Sequence, residues 1–284
     1  MIRVSEEVRE ASAVVALETT IVAHGFPPGE GVAVGLESER QVRAAGAVPA
    51  TIGVLDGEIR VGLTEAELER FDSTARKAGA RELAGCVARR EVGATTVGGT
   101  LAVCRTAGIR FMGTGGIGGV HRGERWDVSA DLIELSRSQV AVVSSGVKSI
   151  LDVEATAEFL ETLSIPVVGW RTDTMPRFYD AAGGPPVTER VESVGEAAQL
   201  ANLHWKLGGC GVLLTKPPDE SLDVDDLIEE ALAEAEAQRI SGQAVTPFVL
   251  ALLHEQSGGR TLAVNRELAA ANAGLAAELA VAAA

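Results

Sequence analysis

Short apolar runs alternate with longer amphipathic segments along this chain. Residues 11–18 (ASAVVALE) form an apolar run typical of a buried strand, with Glu18 as its last residue. Residues 30–46 carry helical spacing that stops at a glycine. A strand followed by a turn is predicted at residues 93–100, a strand running into glycines at 109–116, and further strands at 139–146, 165–170 and 211–216. Further helices are predicted at 129–138, 149–163, 222–240, 246–259 and 265–284.

A hairpin interrupts this alternation at residues 51–63. Asp56 and Gly57 tolerate the positive φ angles of a type I′ turn, and Thr64 with Glu67 then forms a capping box that starts a helix. Strands separated by helices predict a parallel sheet covered on both faces, and the hairpin makes that sheet mixed. We therefore expect an α/β fold, a three-layer α/β/α arrangement with a central mixed, mainly parallel sheet, as a single domain over residues 1–284.

Composition narrows the possible partners. The 284 residues are 46% hydrophobic and carry a formal net charge of −15, which argues against a nucleic-acid surface but not against a small anionic ligand. No apolar run approaches the ~20 residues of a membrane span, and the acidic N-terminus lacks an apolar signal core. The three cysteines fit neither a disulfide framework nor a zinc site. We expect a cytoplasmic protein with no nucleic-acid or membrane partner.

Two ionisable side chains lie where predicted strands end. Ligands of parallel α/β sheets bind beyond the carboxyl ends of the strands. Glu18 ends an apolar strand, where a raised pKa would suit a general acid; the alternative is a glutamate held by nearby threonines. Lys148, in SSGVKSI, has small or apolar neighbours, and a desolvated lysine can attack a carbonyl to form an imine. Its alternative is a lysine that points to water.

The stretch from 113 to 131 combines glycines with charged residues. Its first seven residues, GTGGIGG, let a backbone approach a ligand closely, or else form a tight structural turn. Asp127 and Asp131 flank Ser129, the predicted cap of the next helix. Their carboxylates suit a magnesium or manganese ion that keeps several waters; the alternative is ordinary complementation of the helix dipole.

Taken together, these motifs resemble those of the pseudouridine-5′-phosphate glycosidase family, which also contains indigoidine synthase A-like proteins. The resemblance runs from about residue 16 to the C-terminal helix and is collinear. It rests on ALETTIVAHG, GAVPATIGVLDG, GATTV, GTGGIGGVHRG, DVSADL, SSGVKSILD, TPF and AVNREL.

The resemblance implies reversible cleavage of the C-glycosidic bond of pseudouridine 5′-phosphate to uracil and ribose 5-phosphate, with one Mn²⁺ per subunit of a homotrimer. It implies that Glu18 is the proton donor, Lys148 the Schiff-base nucleophile on C1 of the sugar, and Asp127 the metal ligand. The substrate-binding residues that it implies are Lys77, Val97, His121, Ser129, Ala130, Asp131 and Asn265.

This chain departs from the family pattern in several places. Lys77 is followed by Ala78, Gly79 and Ala80, where the family commonly has a serine before paired arginines. The segment between His121 and Asp127 is two residues shorter than usual, and a frequent Asn-Asn pair is here Ala-Asn at 271–272. Two other hypotheses therefore stay open: a related C-glycosidase that acts on another base in secondary metabolism, and a non-catalytic sugar-phosphate-binding protein.

Overall fold

One mixed sheet runs through the fold. The structure is a computed structural model that describes residues 1–123, 126–240 and 245–284. Within them the main sheet has eleven strands, and β8 and β10 form a separate antiparallel pair. The strands are β1 (Ile2–Val4), β2 (Val14–Glu18), β3 (Val48–Leu55), β4 (Glu58–Val61), β5 (Arg76–Ala78), β6 (Gly93–Thr95), β7 (Phe111–Gly113), β8 (Val120–His121), β9 (Ala141–Ser144), β10 (Leu151–Asp152), β11 (Val167–Trp170), β12 (Glu189–Val191) and β13 (Val212–Thr215).

Helices follow most strands and cover both faces of the sheet. They are α1 (Glu6–Glu10), α2 (Thr20–His24), α3 (Gly31–Ala44), α4 (Glu65–Leu68), α5 (Leu83–Arg89), α6 (Val97–Ala107), α7 (Ala130–Arg137), α8 (Val153–Thr162), α9 (Val194–Lys206), α10 (Asp225–Ala237), α11 (Val245–Gln256) and α12 (Arg260–Ala283).

The strand order confirms the predicted fold class. Along the sheet it is β1-β4-β3-β2-β7-β9-β13-β11-β12, with β6 and β5 branching from β3. Every pair from β3 through β2, β7, β9, β13 and β11 to β12 is parallel, and only β4 and β6 pair antiparallel with β3. The hairpin predicted at 51–63 is therefore one of the two antiparallel pairings that make the sheet mixed, and the pairing of β3 with β6 is the other.

Alternate residues of the central strands pack on opposite faces, as a period of two requires. On β2, Val15 and Leu17 belong to the apolar cluster beneath α3, α9 and α12. Ala16 belongs to the cluster on the other face, beneath α6, α7, α8 and α10. The central strands are buried on both faces, which is why their sequences are continuous apolar runs rather than alternating ones.

Local signals were confirmed at most element ends. Asp56 and Gly57 both have positive φ, at 56° and 84°, in the β3–β4 turn, and the capping box of Thr64 and Glu67 starts α4. Two regions differ from the prediction in the type of element. Of the strand and turn predicted at 93–100, the strand ends at Thr95, because Thr96 accepts a hydrogen bond from the Gly99 N–H (3.1 Å) and so starts α6. The helix predicted at 149–163 begins only at Val153, because Leu151 and Asp152 pair with β8 as strand β10. In the described part of the chain, no helix has both the length and the apolarity to cross a bilayer.

Candidate active site

The carboxyl ends of β2, β7 and β9 meet at a two-lobed cleft. Both lobes share Glu18 from β2, Lys77 from β5 and Lys148 from the loop after β9. The apolar lobe is lined further by Ile21, His24, Ile150, Phe178, Leu250 and Asn265. The polar lobe is lined further by Arg81, Val97, His121, Asp127, Ser129 and Asp131.

Every site residue inferred from the sequence lines this cleft. Lys77, Glu18 and Lys148 lie where the lobes join, and Asn265 lies in the apolar lobe. The remaining ones line the polar lobe: Val97, His121, Asp127, Ser129, Ala130 and Asp131. Residues more than 200 positions apart in the chain are thus brought to one end of the sheet.

Glu18 is a buried acid at the centre of the cleft. Its side chain belongs to a residue only 5% exposed, and the Thr114 hydroxyl donates to its Oε1 at 2.6 Å. Burial raises the pKa of Glu18, because desolvation disfavours the carboxylate, and the nearby charge of Lys148 and the Thr114 hydrogen bond offset only part of that rise. A carboxyl group in this setting can hold a proton and deliver it to a substrate.

Lys77 and Lys148 place two amines beside that acid. Burial lowers the pKa of Lys77, and the neighbouring charge of Lys148 lowers it further, while Asp131 and Glu18 oppose the shift. The backbone of Lys148 is fixed by its N–H, which donates to the Ile117 carbonyl at 3.1 Å. The cleft therefore places an acid whose pKa is raised by burial beside two amines, of which Lys77 is partly desolvated.

Asp131 is an anchor as well as a lining residue. Its Oδ1 accepts from the Gly98 N–H at 2.7 Å, and its Oδ2 accepts from the Gly118 N–H at 2.9 Å. One buried carboxylate thus ties the start of α6 to the glycine-rich loop. Ser129 caps α7 by accepting from the Asp131 N–H at 3.2 Å, as its sequence position predicted.

Asp127 lies at the mouth of the polar lobe. Its side chain is 45% exposed and its Oδ2 lies 3.9 Å from His121 Nδ1. Among the described residues, no group of three or more His, Cys, Asp and Glu side chains could hold a metal ion. Since Asp131 already accepts two backbone N–H groups, the residues present fit a hydrated divalent ion held through Asp127 and several waters, and they do not fit a closed protein cage.

The glycines of residues 113–119 pack against protein atoms. A Cβ at Gly113 would lie 2.7 Å from the Ala273 Cα, and one at Gly116 would lie 2.6 Å from the Phe178 ring. Added Cβ atoms at Gly118 and Gly119 would meet Ser129 and Thr156 at less than 3.0 Å. Of the two interpretations of this tract, close approach to a ligand and tight local packing, these four positions follow the second.

Three polar residues at or beneath the cleft were given no role by the sequence reasoning, although Asn272 was noted there as part of an altered family motif. Thr114 binds Glu18, and Ser145 and Asn272 hold the loops on either side. Thr114 and Ser145 each follow a strand directly, at the same kind of position as Glu18. Asn272 follows Asn265 by seven residues, so both lie on one face of α12. The position of Thr114 and Ser145 directly after a strand, and the seven-residue spacing of Asn272 from Asn265, were the sequence signals that could have identified them.

Comparison with known proteins gives a consistent result. A family model described as "Indigoidine synthase A like protein" matches residues 3–282. A pseudouridine-5′-phosphate glycosidase of Geobacillus kaustophilus is 46% identical, with 97% of this chain and 96% of the relative covered. One of Brachyspira hyodysenteriae is 44% identical, with 98% and 94% covered.

Two solved structures share the fold throughout. A crystal structure of an indigoidine synthase A-like protein from Thermotoga maritima has a TM-score of 0.91 and 40% identity, with 99% of this chain and 96% of that chain covered. The prealnumycin C-glycosynthase AlnA, solved with ribulose 5-phosphate, has a TM-score of 0.90 and 40% identity, with 100% and 97% covered.

Proposed function

The chain belongs to the indigoidine synthase A-like family, as its motifs predicted, and from that premise we propose that it is a pseudouridine-5′-phosphate glycosidase. It cleaves the carbon–carbon bond between C1 of the ribose and C5 of uracil, reversibly, to give uracil and ribose 5-phosphate. The names of relatives at 46% and 44% identity over nearly the whole chain support this substrate.

The junction of the two lobes carries the proposal. Glu18 and Lys148 line both lobes, so that one pentose placed at the junction meets the acid and the amine together. A C-glycosidic bond has no glycosidic oxygen to protonate, so the carboxylate pair of ordinary glycosidases does not suffice. An acid with a raised pKa beside an amine allows another route, in which the sugar ring is opened before the carbon–carbon bond breaks.

The reaction follows from these two groups. The Lys148 amine attacks C1 while Glu18 protonates the departing ring oxygen, which leaves a hydroxyl at C4, a positively charged amine at C1 and an ionised Glu18. The Glu18 carboxylate takes one proton from that amine, and the freed nitrogen lone pair forms the C=N bond as the bond from C1 to uracil breaks. Glu18 returns the proton to C5, which receives the bonding electron pair, and water then hydrolyses the remaining Schiff base to release ribose 5-phosphate and Lys148.

The two lobes orient the substrate. Lys77 and the first turn of α6 at Val97 face the polar lobe, and a cation and a helix N-terminus both favour an anion, so the phosphate lies there. The apolar lobe offers the Phe178 ring and the Asn265 amide, which suit a planar base with polar edges.

Asp127 is the residue that would hold a divalent ion, manganese by family resemblance. When bound there, such an ion supplies positive charge and oriented waters at the mouth of the polar lobe. Ser129 and His121 lie beside it and would orient the same waters or the substrate.

The amine provides the decisive test. We expect Lys148→Ala to lower uracil release from pseudouridine 5′-phosphate by at least ~10³-fold, because it removes the covalent nucleophile and the proposal assigns Lys77 to the phosphate. Lys216→Ala is the matched control, since Lys216 lies outside the cleft and pairs with Asp219. Borohydride added during turnover should attach a pentose phosphate to Lys148. Full activity without any adduct by mass spectrometry would exclude the covalent route.

A second candidate substrate has a specific basis. AlnA, a C-glycosynthase, is as similar in fold as the Thermotoga protein. A C-glycosidase that acts on a base other than uracil would therefore use the same acid and amine. Measuring kcat/KM for pseudouridine 5′-phosphate beside other C-nucleoside phosphates separates the two, and uridine 5′-phosphate tests the need for a carbon–carbon bond.

We also propose that the active form is a homotrimer in the cytoplasm, as the family resemblance implies. Light scattering should then give three times the chain mass of 29.4 kDa. A monomer or dimer at micromolar concentration would contradict the assembly without affecting the proposed chemistry.

A further inference from the structure

Asn272 joins two loops that carry the reacting groups. The side chain lies on α12 and is fully buried. Its Nδ2 donates to the Thr114 carbonyl at 2.8 Å and to the Ser145 hydroxyl at 3.1 Å, with the Gly115 carbonyl further away at 3.4 Å. One amide group therefore bridges the loop after β7 and the loop after β9.

Each loop leads directly to a reacting side chain. Thr114, whose carbonyl accepts from Asn272, uses its hydroxyl to donate to Glu18 at 2.6 Å. Ser145 lies three residues before Lys148, and its N–H donates to the Gly115 carbonyl at 2.8 Å. A continuous hydrogen-bonded path thus runs from the acid through Thr114, Asn272 and Ser145 to the loop that bears the amine.

The helix that carries Asn272 is itself tightly placed. Gly113 packs on α12 so closely that a Cβ would lie 2.7 Å from the Ala273 Cα and 3.0 Å from its N. A side chain at Gly113 would therefore force β7 and α12 apart. This close packing holds the Asn272 amide at a fixed depth beneath the cleft. A mobile side chain on the surface would not keep the two loops at a fixed separation in this way.

We propose that Asn272 is a positioning residue that sets the separation between the Glu18 carboxyl and the Lys148 amine. This inference rests on the proposed function, which gives those two groups their roles. Asn272 touches no substrate; it acts through Thr114 and Ser145.

The chemistry of the side chain supports this role. An amide NH₂ has two hydrogens and here meets two acceptors on different loops. The Asn272 Oδ1 is buried without a hydrogen-bond partner among the described residues. An unpaired buried carbonyl lowers stability, so the two hydrogen bonds that Asn272 donates come at a cost that an apolar side chain of similar size would avoid.

Asn272→Leu tests the role because leucine has similar size and lacks both donors. We expect kcat to fall ~10–100-fold with KM changed less than ~3-fold, since a small misplacement of reacting groups costs rate more than binding. The rate of borohydride trapping at Lys148 should fall by the same factor. If leucine prevents folding, Asn272→Ser tests the same point. Serine has a single donor and therefore cannot bridge both loops, so kcat should again fall more than KM changes.

Leu279→Ala is the matched control on the same helix. Leu279 is buried in the core cluster of α12 and lies outside both lobes, so its truncation lowers stability without touching the bridge. When the two variants have lost the same amount in Tm, Asn272→Leu should have a reduced kcat, whereas Leu279→Ala should keep the kcat of the unmodified protein. An equal loss of kcat in both variants would reduce Asn272 to a merely structural residue and overturn the proposal.

Two further readouts separate this inference from the proposed function. Hydrogen exchange of Asn272→Leu should accelerate at residues 113–118 and 144–149 above the rest of the chain, whatever the substrate is; unchanged exchange there overturns the inference. Absence of uracil release by the unmodified protein would instead contradict the proposed function alone.

A double-mutant cycle tests the coupling between Asn272 and Ser145. In the Ser145→Ala background, Asn272→Leu should lower kcat by a smaller factor than it does in the unmodified protein, and strictly additive effects of the two substitutions would also overturn the bridge.

The pH profile gives a signature of the Thr114 arm. The groups that face Glu18 are Lys148, Asp131 and Lys77, besides the Thr114 hydroxyl, whose hydrogen bond lowers the pKa of Glu18. Loosening Thr114 should therefore move the alkaline limb of kcat to higher pH in Asn272→Leu. A profile that falls in height without any shift would show that Asn272 does not act on Glu18 through Thr114, and would overturn the bridge.

Discussion

The floor and the rim of the cleft are built differently. The floor consists of Glu18, Thr114, Ser145 and Asn272, which are buried and joined by hydrogen bonds of 2.6–3.1 Å. The rim consists of His121, Trp126 and Asp127, where His121 Nδ1 lies 3.9 Å from Asp127 Oδ2 and Trp126 is 95% exposed. Reacting groups are thus fixed before substrate arrives, while recognition groups remain open to water.

This difference separates chemistry from recognition. A rigid floor lowers the barrier because its groups need no reorganisation during reaction. An open rim allows a phosphate or a hydrated ion to enter with its own waters. Changes in the floor should therefore reduce kcat, and changes in the rim should alter the concentration of substrate or metal that the protein needs.

Loss of the acid should have the largest effect on the floor. We expect Glu18→Gln to lower kcat by ~10²–10⁴-fold, since a positioned general acid contributes that much and an amide cannot donate in its place. Uracil release at saturating substrate measures it. A variant that keeps more than a tenth of the activity would remove Glu18 from the reaction.

The same substitution should raise stability, with a defined pH dependence. The pKa of Glu18 is raised in the folded protein, so its contribution to stability is fully present below the unfolded pKa and is lost as pH rises through the folded pKa. As pH increases, the unmodified protein should lose this stability while Glu18→Gln does not, so the difference in Tm in favour of the variant should grow. Glu39→Gln is the control: Glu39 is another acid with a pKa raised by burial and bonded to a threonine, but outside the cleft, so kcat should stay unchanged.

Sequence reasoning identified the rim residues His121 and Asp127 and the reacting groups Glu18 and Lys148, but it did not identify the hydrogen-bonded residues of the floor that support them. Glu18 and Lys148 became candidates because each lies at or just after the end of a predicted strand, where an ionisable residue costs free energy unless it has a function or a partner. Their roles as acid and nucleophile came from the family resemblance. The fold class followed from the alternation of strands and helices. Both inferences depend on local patterns that remain visible along the chain.

The bridge beneath the floor depends on contacts between distant segments. Asn272 lies 158 residues from Thr114 and 127 from Ser145, and no local pattern encodes those pairings. Lone asparagines and threonines also serve as caps and turns, so their residue type alone says little. The packing role of Gly113 was equally hidden, since its neighbour is the backbone of α12.

An intermediate effect is expected within the floor at Thr114. Thr114→Val keeps the shape and removes the hydroxyl that donates to Glu18, so kcat should fall ~10-fold and its alkaline limb should move to higher pH, because that hydrogen bond lowers the pKa of Glu18. A rate–pH series measures both. Thr215→Val serves as the control, since this buried threonine bonds the Val168 carbonyl outside both lobes and should leave the profile unchanged.

The smallest effect should be at the rim. Asp127→Asn keeps the size of the side chain and removes one charge, so it should raise the Mn²⁺ concentration for half-maximal activity ~10-fold, while kcat at saturating Mn²⁺ changes less than ~3-fold. Activity after EDTA treatment, titrated back with Mn²⁺, measures both quantities, and Glu161→Gln on α8 is the control for a lost surface charge. A hydrated ion held through a single exposed carboxylate tolerates this change, whereas a fall in kcat as large as that of Glu18→Gln would place Asp127 in the chemistry and erase the distinction between floor and rim.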